Sequence, residues 1–309
     1  MLALIDTLFN DGALSMLQTG VRTLGVGSFA VALGSLVVGW WLVPQTSASR
    51  PLIARLQWLA GIATLLALAF FVALWPLVAA QMAGVATFAD TVPVLKVVLT
   101  DTAFGGLVRL VWGLLALALL LLLMLLTPLR RVALKELRGS VVALLGMVAL
   151  LQPLMGHGAT VGAGYLLPMT THVLAASLWI GAIPALILGC IDSSIDSRAL
   201  LRRFSWLGIA CVVVLGLSGV VQTITLVASW QALWQTVYGQ LIVVKTVLLG
   251  ALLVLALINR CYWTPRAVGR QRGVVITMGV EWALALCVIV IAVGLAAQPP
   301  PGIMGEMAH

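Results

Sequence analysis

The run LVWGLLALALLLLLMLLTPL, residues 110–129, decides the fold. It carries no charged side chain and is as long as a helix must be to cross the hydrocarbon core of a bilayer, about 20 residues at 1.5 Å each. Outward from it in both directions the chain repeats the pattern, with apolar stretches at about 21–43, 55–80, 104–127, 140–155, 166–190, 204–228, 238–258 and 274–297. Backbone polar groups in lipid must be satisfied within the segment, so stretches of this length read as helices. The expected fold is an all-α integral membrane protein, a bundle of eight transmembrane helices forming a single domain over residues 1–300, followed by a tail at 301–309.

Composition agrees. With 62% hydrophobic and 8% charged residues and a mean hydropathy of +1.18, the chain has too little polar surface for a soluble globule. Asp6 and Asp11 precede the first span without the basic n-region of a secretory signal, so that span is expected to be retained. The pI near 10.1 does not point to nucleic acid, because the basic residues gather in short connections between apolar runs. Arg50 and Arg55; Arg130, Arg131, Lys135 and Arg138; Arg198, Arg202 and Arg203; and Arg260, Arg266, Arg270 and Arg272 follow alternate spans. The positive-inside rule places those connections in the cytoplasm and both termini on the outer face. No phosphate-binding loop or other nucleotide motif is present, so transport by this chain would be passive, gradient-coupled or driven by a partner. Lipid is an expected partner; nucleic acid and nucleotide are not.

On this topology the three histidines all lie toward the outer face, each near methionine: Met155 and His157, Met169 and His172, Met304 and Met307 with His309. Imidazole nitrogen and thioether sulfur suit a soft cation such as Cu(I), whereas zinc favours thiolates, and calcium or magnesium favour carboxylates. Met169 and His172 are three apart, on one helix face, about a turn into the fifth span. Gly156 and Gly158 leave the backbone at His157 free to approach an ion closely. The residues alone leave a second reading open, in which the histidines bond to backbone and the methionines fill gaps. Pro299, Pro300 and Pro301 would extend the tail, making Met304, Met307 and His309 an accessory arm. Cys190, Cys211, Cys261 and Cys287 stand singly, without metal-site spacing, and read as small core residues.

Charges inside the spans include Arg109, Lys245 and Glu281. Each is costly in lipid unless paired or hydrated. Lys245 and Glu281, on antiparallel neighbours, are expected within about 10 Å of each other in height, as an ion pair or with one of them on an aqueous path, either fixing helix register or relaying ions. Trp179 is seven residues beyond His172, and Gly181 and Pro184 after it mark either a break that opens the backbone or an ordinary packed kink. Trp40, Trp41, Trp230, Trp234 and Trp263 are expected in interfacial belts. Met124, Met147, Cys211 and Cys287 are the candidates for soft ligands deeper in the bundle.

Gly156-His157-Gly158-Ala159 and the run from Thr171-His172 through Trp179-Ile180-Gly181 resemble the copper resistance protein D family. So do Arg203-Phe204-Ser205, Thr236-Val237-Tyr238-Gly239, Lys245, Asn259-Arg260 and Glu281. The specific part covers residues 150–300; the first half agrees in hydropathy and span count. The resemblance implies a multi-pass protein of the bacterial inner membrane with periplasmic termini, acting in copper homeostasis. It further implies copper, which the donor chemistry above makes Cu(I), moving from periplasm toward cytoplasm, and a periplasmic copper-binding partner of the CopC type. It selects His157 and His172 as ligands, with Met155 and Met169 beside them. No catalytic residue and no enzymatic activity are expected. Two other functions fit the residues: a b-type haem redox protein of the cytochrome b561 kind, using a histidine pair, and a copper sensor or scaffold without flux.

Overall fold

The computed structural model describes residues 13–84, 88–126, 134–155, 163–227, 229–267 and 269–298. His157, Met304, Met307 and His309 lie outside the described residues, as does the tail 301–309. Among the described residues the chain is helical, without strands. The helices are α1 Ala13–Val37, α2 Arg50–Ala83, α3 Phe88–Thr100, α4 Ala103–Leu126, α5 Leu134–Leu151, α6 Ala163–Ile191, α7 Ser197–Leu226, the single turn α8 Ala232–Gln235, α9 Val237–Ile258 and α10 Gln271–Ala297. Eight of the described segments are long and apolar enough to cross a membrane: Ser15–Leu42, Arg50–Ala83, Ala103–Leu126, Leu137–Met155, Tyr165–Ile191, Ser197–Leu226, Val237–Arg266 and Gln271–Ala297.

Local chemistry sets the ends. The Asp196 carboxylate caps α7 by accepting from the N–H groups of Arg198 and Ala199 at 2.9 and 3.2 Å, and Thr236 caps α9 by accepting from Gly239 N–H at 3.0 Å. Helix α2 starts with Pro51 in its first turn and stops at Gly84, whose φ of 65° few other residues adopt. Pro168 and Pro184 both lie within an unbroken α6. The backbone opening considered after Trp179 is therefore not present.

Helix α6 is the most enclosed of the spans and is central to the bundle, packing on α1, α7, α10 and α5. It meets α1 backbone to backbone. Gly181 on α6 and Gly34 on α1 face one another so closely that a Cβ on Gly181 would overlap the Ala30 carbonyl, and one on Gly34 would overlap the Gly181–Ala182 peptide. In lipid, where apolar burial gives helices little reason to associate, such small-residue contacts let van der Waals packing hold them. The main core joins Phe29, Leu33 and Leu36 of α1 to Leu52 and Leu56 of α2 and to Ile183 and Leu186 of α6. Trp40 belongs to this core, 7% exposed with the Arg138 guanidinium 5.6 Å from its ring, so it is no belt residue; Trp41, Trp230 and Trp234 are exposed.

Candidate metal site and a second cavity

Two cavities open toward opposite ends of the bundle. The first, of about 220 Å³, lies where α6 begins and α10 ends. Met155, in the 3-10 turn Gln152–Met155 that closes α5, lines it together with Met169 and His172 of α6. Tyr238 and Lys245 of α9 face the same space. Thus three of the four expected ligands share one cavity, and the fourth, His157, falls outside the described residues. Met155 also packs on the main core and Met169 on the cluster around Tyr165, Leu226 and Tyr238. Both thioethers are anchored as apolar filler while remaining at the cavity wall.

Because α6 begins at Ala163, His172 is about 14 Å along it, deeper than the single turn expected. Its Nδ1 lies 2.9 Å from Ser218 Oγ of α7. The serine hydroxyl has one proton, and that proton is directed to the Val214 carbonyl 2.5 Å away, one turn back. Ser218 Oγ therefore accepts from Nδ1–H. A neutral imidazole carries a single N–H, so Nε2 keeps its lone pair, the form that binds a metal. Among the described residues no group of three or more His, Cys, Asp or Glu side chains gathers to hold a metal. The donor set offered here is instead one imidazole and two thioethers, suited to a soft monovalent ion.

The second cavity, of about 270 Å³, lies where α6 ends and α10 begins. Trp179, Met278, Asn259 and Glu281 line it. Trp179 is on this cavity and its neighbour Ile180 on the first, so a single turn of α6 separates the two.

The ion pair expected between Lys245 and Glu281 is absent. Glu281, 5% exposed, accepts instead from the Asn259 side-chain amide at 2.6 Å. The expectation assumed a short seventh span. That span actually continues from α9 through the turns Asn259–Trp263 and Thr264–Arg266, which sets Glu281 level with Asn259, about 21 Å along the helix from Lys245. Among the described residues the ion pair is Arg55–Asp192, 3.3 Å, at the surface. Arg109 is exposed on α4, away from both cavities.

None of Met124, Met147, Cys211 and Cys287 lines either cavity, and Met147 and Cys287 are exposed. The soft side chain that does face the second cavity, Met278, was not singled out from sequence. Also missed were Arg22, Gln152, Tyr165 and Gln222, which line the first cavity, and Ser218 behind His172. A charge in the first span was a usable signal for Arg22. Ser218 has none, because its pairing with His172 spans 46 residues of sequence.

A family model described as "Copper resistance protein D-like, N-terminal domain" matches residues 13–167, and one described as "Copper resistance protein D" matches residues 198–295. A protein of Bacillus subtilis (strain 168) described as "Copper transport protein CutJ" is 30% identical over 155 residues, which cover 47% of this chain and 28% of that relative. The chain thus corresponds to well under two thirds of the relative's length. No solved structure matches.

Proposed function

The chain belongs to the copper resistance protein D family and is a copper-related, multi-pass membrane protein; from that premise we propose that it carries Cu(I) as substrate across the bacterial inner membrane, from periplasm to cytoplasm. One observation supports this reading above the others: Met155, Met169 and His172 line the same cavity at one end of the bundle. The distribution of basic residues supports taking that end as the outer one, with both termini periplasmic. Cu(I) would be taken by His172 Nε2 and the two thioethers, with His157 and the tail residues Met304, Met307 and His309 as further donors. A periplasmic protein of the CopC type would deliver the ion. The second cavity, with Met278 and Glu281, is the next station toward the cytoplasm. Passage past Trp179 and Ile180 needs the helices around α6 to shift, as in alternating access. On this reading the protein is a carrier and not an enzyme.

The test is Cu(I) uptake by proteoliposomes containing the purified chain. His172→Ala, and Met155→Leu combined with Met169→Leu, should each lower uptake by about tenfold or more, a loss typical of disturbing a metal site. Uptake equal to wild type in both variants refutes the carrier site. A Soret band in the purified protein would instead favour the haem reading.

A further inference from the structure

The cavity that holds His172 has a second chemistry. Among the described residues Arg22 of α1 and Lys245 of α9 line it, and no carboxylate does. Among the described residues neither cation is ion-paired. Arginine keeps its proton in any protein environment, so a fixed positive charge stands inside the span Ser15–Leu42. Such charges in a membrane are costly unless something neutralises them.

Hydrogen-bond donors sit on residues of the same cavity wall. The Tyr165 hydroxyl, on a side chain 4% exposed, has no partner among the described residues. The same holds for Nε2 of Gln152 and of Gln222, each buried and each on a residue of the cavity wall. Buried donors left without acceptors are rare, because each forfeits its hydration. Water would satisfy the donors and leave the charge uncompensated. An anion does both, since it accepts hydrogen bonds and brings the opposite sign.

We propose that this cavity binds a small singly charged anion, a halide or a carboxylate, held by Arg22 with the Tyr165 hydroxyl and the Gln152 and Gln222 amides. Lys245 offers a further donor from the α9 side. The bound anion offsets the repulsion a cuprous ion would otherwise meet on entering a cationic cavity, so copper enters beside a counter-ion. That consequence rests on the carrier reading; the anion site itself does not.

The experiment uses the full chain in detergent, stripped of copper, with chloride or formate titrated against gluconate at constant ionic strength. Chloride binding is read from chloride-35 NMR line broadening, and formate binding from calorimetry. Wild type should show saturable binding of at least one of the two. Chloride alone identifies a halide site, formate alone a carboxylate site, and both together a site selecting charge. Arg22→Gln should weaken binding by about tenfold or more and Tyr165→Phe, which keeps the ring and hence the packing, by about threefold, while Arg202→Gln on the exposed face of α7 should leave it unchanged. If Arg22→Gln does not fold, Tyr165→Phe and Gln222→Leu decide the matter. Absence of saturable binding in wild type, or binding undiminished in the folded cavity variants, overturns the proposal. Since no copper is present, anion binding persists here even if the carrier reading fails in the uptake assay.

Discussion

Ser218→Ala tests whether His172 is a ligand or a packed core residue. The serine touches no ion. Its role runs through the 2.9 Å contact with Nδ1 and the proton it gives to Val214, which together hold the imidazole with Nε2 unprotonated. Replacing it with alanine removes one neutral hydrogen bond, worth about 1 kcal/mol net. It also releases the ring to rotate and to exchange tautomers. Partners of this kind behind metal-binding histidines cost about 10- to 100-fold in affinity when removed. With a single neutral bond lost, the lower end applies: Cu(I) affinity should fall about tenfold, equivalent to ~1.4 kcal/mol. The assay is competition with a chromogenic Cu(I) chelator on purified protein, with circular dichroism confirming that the helices persist. Ser218→Thr keeps a hydroxyl at the same turn and should restore affinity to within about threefold, which a purely structural role for the site would not require. A Ser218→Ala affinity within twofold of wild type refutes the tautomer argument and, with it, the assignment of Nε2 as the donor.

Two further outcomes follow from the packing and the loops. Gly181→Val places a branched side chain against the Ala30 carbonyl and should destabilise the bundle by about 1–3 kcal/mol, read as a lower thermal midpoint in detergent; an unchanged midpoint contradicts the close α1–α6 contact. Asp192, in the connection from α6 to α7, has its carboxyl held below the usual range by the Ser194 hydroxyl, then by Ser194 N–H at 2.9 Å, with Arg55 adding attraction. A carboxyl whose folded pKa is lowered contributes stability above its ordinary titration range, and that contribution is lost as pH falls through the lowered value. Asp192→Asn should therefore be slightly less stable than wild type near pH 7, by less than about 1 kcal/mol for so solvent-screened a group. The gap should close below about pH 4; a gap constant between pH 3 and 7 refutes this.

How far each feature could be read in advance depended on how local its cause is. The apolar run at 110–129 lies within one helix, and its meaning needs no neighbour. The spacing of Met169 and His172 is equally local, since a helix puts residues three apart on one face whatever surrounds it. Met155 reaches the same cavity from a different helix, and the sequence could place it no nearer than the loop beside His157. The Lys245–Glu281 pair failed for the opposite reason: it needed the exact length of α9, and the added turns through Trp263 shift the register by several residues.

By itself, then, the sequence determined the solvent this protein folds in, the eight apolar segments that meet it, the kind of ion its imidazole and thioether groups suit, and the family. These follow from hydropathy, residue chemistry and order along the chain. Only the tertiary structure decided that Met155, Met169 and His172 line one cavity, that Ser218 orients the imidazole, that Glu281 pairs with Asn259, and that Arg22 lines the same cavity as three residues whose donors have no partner among the described residues. Each of those depends on which helix lies beside which and at what height. In a membrane that choice is made by close contacts such as Gly34 on Gly181, not by the hydrophobicity that makes the helices recognisable.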